Sequence, residues 1–375
     1  MPIQSFAFDP ALSETCVELR YDLHRSDLRW IPPLRSFLRR YYEPGFGFYQ
    51  CADNYHRHFV AMANDAVIGH VTATIDGDLC VRQGQRIGAV GLFECIDDEA
   101  VAADLLDSAI AWLRDEHDVQ RVLGPMAFDI WHEYRFKTAG FNMPVFLGEP
   151  YNPPRYPEYF LTAGLTALER WNTVQVTGRQ ALENLIAPFA DNLQVLLDEG
   201  YRFDKVDRHN PRDFRAVFDV ETGAFQDAVA YTRPPFEEYK LRLQAYARIA
   251  GTGLVNILRS PDGPAVGLSI VFSDPAKAVR AMRGEDGLAA QLRFLLRSWQ
   301  RDRAIYYFIG AVPSELGRPR GLGRAMLHYT VKQILDAGYD TIAFALIGSG
   351  SRVRRILGDT IQSAQSEYTL YERAI

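Results

Sequence analysis

"ELGRPRGLGRAML", Glu315 to Leu327, sets Gly317, Gly321 and Gly323 among Arg318, Arg320 and Arg324. It follows the apolar, aromatic run "AIYYFIGAV" (Ala304 to Val312) and precedes a stretch in which Leu327, Val331, Ile334 and Leu335 recur at helical spacing before Gly338. The first run predicts a buried strand and the second an amphipathic helix with a glycine stop. "DTIAFALIG" (Asp340 to Gly348) predicts another strand, so the unit reads strand, loop, helix, strand, the strands parallel through a right-handed crossover. Glycines let backbone N–H groups crowd against an anion, the helix adds unpaired N–H groups and the positive end of its dipole, and arginines add charge-assisted hydrogen bonds. The loop therefore predicts a phosphate site. It is not a Walker loop, because Gly323 is followed by Arg324-Ala325 rather than Lys-Ser/Thr. Nor is it a dinucleotide fingerprint, which needs a small residue at Met326 and an acid ending the next strand, whereas Asp340 precedes that strand.

The rest of the chain bounds the context. At 375 residues and 47% hydrophobic content, two domains are expected. A formal net charge of -6 argues against nucleic-acid binding, which needs a basic footprint. Cys16, Cys51, Cys80 and Cys95 form no CxxC pair and no zinc spacing, so free thiols in a reducing cytoplasm are expected. "MPIQSFAFDPALSETC" has no secretory pattern, and no apolar run approaches the roughly 20 residues of a membrane span. The expected protein is cytoplasmic and not an integral membrane protein. His56 and His58 stand two residues apart with no partner cluster, so no metal site is expected.

The order of elements repeats. Upstream of the glycine loop, "FEEYKLRLQAYARIAG" has helical periodicity and "GLVNILRSPDGPAVGLSIVFSD" (Gly253 to Asp274) is a hairpin with "SPDGP" at its turn. Earlier, "HFVAMANDAVIGHVTATIDGD" is again a hairpin, with Ile68-Gly69 placed like Val266-Gly267, followed by strand, helix and strand in "RIGAVGLFECIDDEAVAADLLDSAIAWLRDEHDVQRVLGPM". A divergent tandem duplication is expected, with domains at 1–178 and 202–375 joined by a helix over 179–201. Where the second copy has its glycine loop, the first reads "FECIDDEA". Glu94, Asp97, Asp98 and Glu99 would repel a phosphate there, so only one site is expected.

Helix, hairpin, a strand ending in "AVPSE", the loop "GRPRGLGRAML", helix and strand resemble the acyl-coenzyme A core of the GNAT superfamily of N-acetyltransferases. The duplicated layout, with "LGPMAFDIWHEYRF", "GEPYNPPRYPEYF" and "SEYTLYER", is similar to bacterial tandem-GNAT proteins. The resemblance implies an α/β (α+β) fold of two tandem GNAT-like domains, each a mixed, strongly twisted sheet flanked by helices, the N-terminal copy degenerate. It implies that Tyr306 to Val312 and Thr341 to Ile347 splay around the pantetheine of acetyl-CoA or another acyl-CoA. Arg318, Arg320, Gly321, Leu322, Gly323 and Arg324 would hold the pyrophosphate, and a backbone N–H near Ala311 or Val312 would polarise the thioester. Glu315 is the nearest carboxylate and the first candidate for general base. Where the superfamily has an Asn and a following helical Tyr, this chain has "LIGSGSRVRRILGD" and no such Tyr, leaving Ser351, Tyr368 and solvent as candidate acids. Arg352, Arg354 and Arg355 read as a solvated helix face, or as a site for the ribose 3'-phosphate or an acidic carrier protein. Trp131, His132 and Tyr134 of "IWHEYRF", with Tyr306, are the expected acceptor-binding residues. The implied activity is acyl-CoA-dependent N-acylation of a small-molecule or lipid amine. The alternatives are a donor carried on an acyl carrier protein or tRNA, and a non-catalytic acyl-CoA-binding protein.

Overall fold

The computed structural model describes residues 2–251, 253–315 and 321–375. Arg318 and Arg320 of the glycine loop lie outside them. The first half of the chain contains β1 (Ile3–Phe6), α1 (Pro10–His24), α2 (Arg35–Arg39), β2 (Tyr55–Ala63), β3 (Ala66–Ile75), α3 (Gly77–Gln83), β4 (Ile87–Cys95), α4 (Glu99–His117), β5 (Arg121–Gly124), β6 (Phe136–Ala139), α5 (Tyr156–Thr162) and β7 (Thr166–Thr177). The chain continues through α6 (Arg179–Ile186), α7 (Ala190–Asp198), β8 (Arg202–Lys205), α8 (Pro211–Ala224), α9 (Phe236–Ala250), β9 (Asn256–Arg259), β10 (Ala265–Ser273), α10 (Ala276–Met282), α11 (Leu288–Arg297), β11 (Ala304–Ala311), α12 (Leu322–Asp336), β12 (Thr341–Gly348), α13 (Arg352–Leu357) and β13 (Ser366–Ala374). The segment 179–201 is two helices rather than one, because Pro188, in a 3-10 turn at Ala187–Phe189, has no N–H to carry the helix through.

The duplication is visible in register. Gly69 pairs with Cys95 in the first half and Gly267 with Ala311 in the second, and the next N–H groups, of Ile96 and Val312, donate to Ile68 and Val266. Both glycines lie under the crossover helix: a Cβ on Gly69 would stand 2.7 Å from Leu105 Cδ1, and one on Gly267 would stand 3.0 Å from Met326 Sδ. The helices themselves bury the expected stripes, Val101, Leu105, Ala109 and Leu113 on α4, and Leu327, Val331, Ile334 and Leu335 on α12. β4 runs parallel to β5, and β11 to β12, as the crossover rule requires.

One mixed sheet contains the named strands, in the order β1-β2-β3-β4-β5-β13-β7-β12-β11-β10-β9-β8, with β6 beside β13. The central order shows an exchange. β5 is paired by β13 from the end of the second half, and β12 is paired by β7 from the end of the first. β7 and β13 pair with each other, from Ser366 opposite Thr173 to Glu372 opposite Thr166. Helices α6 and α7 pack on α12: Leu182 and Ile186 share a core with Leu327 and Val331, and Leu196 with Leu322 and Met326.

Because Gly69 admits the crossover helix at contact distance, Gly69→Val forces α4 off the hairpin. The expected loss is about 1–3 kcal/mol, read as a lower denaturant midpoint. An unchanged midpoint would show that α4 does not bear on β3.

Candidate active site

The N-termini of the two crossover helices differ in kind. On α4, Asp98 caps the backbone N–H groups of Ala100 and Val101, Glu99 sits in the first turn, and Asp97 pairs with Arg155 and accepts from the Tyr159 hydroxyl at 3.1 Å. These carboxylates occupy the helix's positive end, so no phosphate is needed there. On α12 no side chain among the described residues caps the helix, and its first turn has no acid. Its N-cap is Gly321 at φ 95°, where a Cβ would stand 2.4 Å from Asn192 Nδ2. That left-handed, close-packed position suits glycine, and it leaves the first N–H groups of α12 without helical partners. Arg324 is exposed on the first turn, its guanidinium 5.7 Å from the centre of the Phe189 ring. The link between strand and helix also differs, 96–98 in the first half against 312–321 in the second.

Beside this helix end the parallel strands part. β11 and β12 pair from Ala304 opposite Ile342 to Tyr306 opposite Phe344 and no further. The Val312 N–H is committed to Val266 O at 2.9 Å, which removes it from the candidate donors. Antiparallel alternation turns the Ala311 N–H the other way, off β10 and into the gap. In the first half the corresponding opening is bridged by main chain: Met126 N–H donates to Val90 O at 2.8 Å, and a Cβ on Gly91 would stand 2.3 Å from Met126 O.

The other side of the gap is built by both halves. Tyr306, expected to bind the acceptor, instead faces α12, buried with Leu327 and Val331 and with its hydroxyl 3.2 Å from Ser269 Oγ. Its neighbour Tyr307 points to the opposite side, as strand alternation requires, and packs there against the same core as Tyr134 and Trp171. The Arg135 guanidinium lies 4.1 Å from the centre of the Tyr134 ring and 4.6 Å from that of the Trp171 ring, and the two rings meet edge to face. A shallow cleft is lined from the first half by Tyr41, Phe46, Trp131 and His132, and from the second by Glu238, Tyr239 and Arg242 of α9.

His132 organises this cleft. Its Nδ1 lies 2.7 Å from Asp129 Oδ1 and its Nε2 3.2 Å from Glu238 Oε1. Burial alone disfavours the imidazolium, but the Asp129 charge and the hydrogen bonds it donates to both carboxylates outweigh that and hold the pKa up at about 9. Trp131 donates Nε1–H to Thr232 O at 2.7 Å, fixing the loop to the second half. Glu221 of α8, hydrogen-bonded to the Tyr239 hydroxyl, is pushed above the usual carboxylate range by burial, partly offset by Tyr239 and Arg242.

The expected catalytic side chains have other duties. Glu315 accepts from the Tyr201 hydroxyl at 2.8 Å, and Tyr201 packs with the core under α7 and α12 rather than with the cleft. Ser351 caps α13 through Val353 N–H. Tyr368 is 0% exposed, its hydroxyl 2.5 Å from Glu149 Oε1, and the same oxygen is held by Lys137 Nζ at 2.8 Å. Burial raises the Tyr368 pKa well above the usual phenol value, and the Glu149 charge adds to it, so a buried polar knot rather than an acid is the role this geometry supports. Sequence reading missed Asp129, Glu221, Glu238, Tyr239, Arg242, Tyr246 and Tyr307. The signal for α9 was present: Tyr239, Arg242 and Tyr246 recur three and four residues apart on one helical face.

The tandem GNAT protein from the clavulanic acid biosynthesis pathway aligns over 100% of this chain and 98% of its own, at TM-score 0.52 and 11% identity. The chain has the tandem GNAT fold. The GCN5-related glucosamine N-acetyltransferase region of a fungal GH3 beta-N-acetylglucosaminidase aligns over 99% of this chain and 38% of that one, at TM-score 0.53 and 12% identity. A probable N-acyltransferase from Enterococcus faecalis V583 aligns over 100% and 73%, at TM-score 0.51 and 7% identity. By sequence, Protein YghO of Escherichia coli (strain K12) is 29% identical over 142 residues, 38% of this chain and 36% of YghO, so the match spans little more than a third of that relative. No protein-family profile matches the chain.

Two outcomes follow for a chain with this fold. The raised pKa of His132 contributes stability that is complete below its unfolded value of about 6.5 and is lost as pH rises through about 9. Thermal melts above neutral pH are therefore expected to fall more steeply for the wild type than for His132→Gln. Parallel profiles would show that the imidazolium is not held as described. Tyr368→Phe is expected to lose about 1–3 kcal/mol by leaving Glu149 short of a donor. A variant as stable as the parent would return the hydroxyl to the list of candidate acids.

Proposed function

We propose that the protein is an acyl-CoA-dependent N-acyltransferase with one donor site, in its second half, and an acceptor cleft shared by both halves. The observation that carries this reading is the contrast between the crossover helices: α4 closes its own N-terminus with Asp98, while α12 begins at a glycine that a side chain would obstruct and, among the described residues, has no side-chain cap. In this reading the N–H groups of Leu322 and Gly323 hold the pyrophosphate, with Arg324 and the loop arginines Arg318 and Arg320 around it. The Ala311 N–H, turned into the gap, donates to the thioester oxygen as negative charge develops there. An acyl-CoA supplies the acyl carbon: the acceptor nitrogen bonds to it as the C–S bond breaks, one proton leaving nitrogen and one reaching sulfur.

The acceptor amine sits by Tyr307, between α9 and the loop 129–135, with Trp131, His132 and Tyr134 as walls. Glu238 replaces Glu315 as the carboxylate best placed for the nitrogen's proton, since it lines the cleft and Glu315 does not, with the buried Glu221 behind it through the Tyr239 hydroxyl. The acceptor is a small-molecule or lipid amine, and the protein works in the cytoplasm without a metal. A second reading, an acyl-CoA-binding protein without turnover, is favoured by one observation: Ser351 and Tyr368 are both engaged structurally, which leaves solvent to protonate the thiolate. An acyl carrier protein as donor remains the alternative for the arginine-rich α13.

Titration calorimetry with acetyl-, octanoyl- and palmitoyl-CoA tests the reading. Micromolar binding is expected for the wild type, with loss of at least about tenfold in affinity for Arg324→Glu, which opposes the anion without disturbing the core. Gly321→Glu with Arg318→Ala is expected to abolish binding. Wild-type protein that binds no CoA thioester overturns the donor assignment. Binding with no thiol release across a panel of amines selects the second reading.

A further inference from the structure

Helix α11, ten residues inserted between α10 and β11, is amphipathic and turned the wrong way out for a structural helix. Leu288 is 85% exposed, Leu292 58%, Leu295 64% and Leu296 65%, and Trp299, just past the helix, is 76% exposed. Ala290 is buried, and Phe294 and Ser298, one and two turns on, are half-buried. The large apolar side chains therefore project while smaller contacts hold the helix to the protein. A continuous outward stripe of four leucines and a tryptophan loses hydration free energy only if something covers it.

We infer that this stripe docks on the interface of an anionic lipid bilayer, with α11 lying in the headgroup plane. The charge pattern selects that occupant. From 287 to 301 the only charged residues are Arg293, Arg297 and Arg301, in a chain whose net charge is -6. Arg301 is engaged by the carbonyls of Ile249 and Ala250, while Arg297 is exposed and Arg293 half-buried along one side of the stripe. Leucines on one face, arginines beside them and a tryptophan at the end are the composition of an interfacial helix. A second copy fits less well, because a two-fold contact of this stripe with itself brings arginines together with no carboxylate on either helix to answer them. The helix does not insert across the bilayer: no helix among the described residues is long and apolar enough. Arg301 ties the end of the stripe to the C-terminus of α9, the helix that lines the cleft, so docking would hold the cleft wall near lipid. The inference does not depend on which reaction the cleft performs.

The test is flotation of the full chain with vesicles of phosphatidylcholine containing about one quarter phosphatidylglycerol. Wild type is expected to float, with a blue shift of Trp299 emission that Trp299→Phe removes. Leu292→Glu with Leu296→Glu keeps the wild-type melting temperature, since both side chains already stand in water, and loses at least about tenfold in vesicle affinity. Arg293→Glu with Arg297→Glu is expected to do the same. Absence of wild-type flotation overturns the inference, as does equal flotation of wild type and leucine variant. A wild-type dimer that the leucine substitutions convert to monomer overturns it in favour of an interface between copies.

Discussion

The ladder between β7 and β13 is the contact on which the rest of the molecule rests. By placing the last strand of each half beside the fifth strand of the other, it turns two sheets into one and removes the edges that β5 and β12 would otherwise expose. It also sets the cleft. Trp171 on β7 stands opposite Tyr368 on β13 and Gly348 on β12, and from there it stacks on Arg135, which belongs to the loop that faces β11. The buried set of Lys137, Glu149, Thr173 and Tyr368 pins the same place, and its members come from both halves.

Within that frame the halves have diverged by small, physically distinct steps. Each keeps a glycine under its crossover helix and a bulge in its fourth strand, because the helix has to cross the hairpin and the strands have to part. The first half has filled what those features create. Asp98 takes the helix end, Met126 bridges the gap, and Glu94 is held below the usual carboxylate range by His24 and Arg20 against the cost of its own burial. What remains of the first half's chemistry is lent outward, through the loop that carries Trp131 and His132 to the second half.

Much of this was legible in the sequence, for reasons that can be named. Apolar runs bounded by Gly, Asn-Asp and Ser-Pro-Asp-Gly-Pro located the hairpins and crossover strands, because turn chemistry and burial are local properties. The repeat was legible because Gly69 and Gly267 answer the same steric demand. The strand exchange was not, since nothing in "SEYTLYER" says which of two equivalent strands it pairs with; that choice is made by contacts hundreds of residues apart. Tyr306 and Tyr307 adjoin in "IYYF" and face opposite sides of the sheet, and nothing in the pair itself says which side α12 covers. The hydrogen bonds of Glu315 and Tyr368 have the same origin: their partners, Tyr201 and Glu149, are distant in sequence and adjacent in space.

The exchange also bears on how the chain is made. Synthesis delivers β1 to β5 well before β13, yet β13 is the strand that closes β5. Until it arrives, the first half holds an open edge and lacks the Tyr368 hydroxyl that anchors Glu149. The first copy therefore waits for its twin, whereas the second finds β7 already made, in contrast to multidomain chains whose domains mature one after another. The repeated unit of the sequence is not the unit of folding.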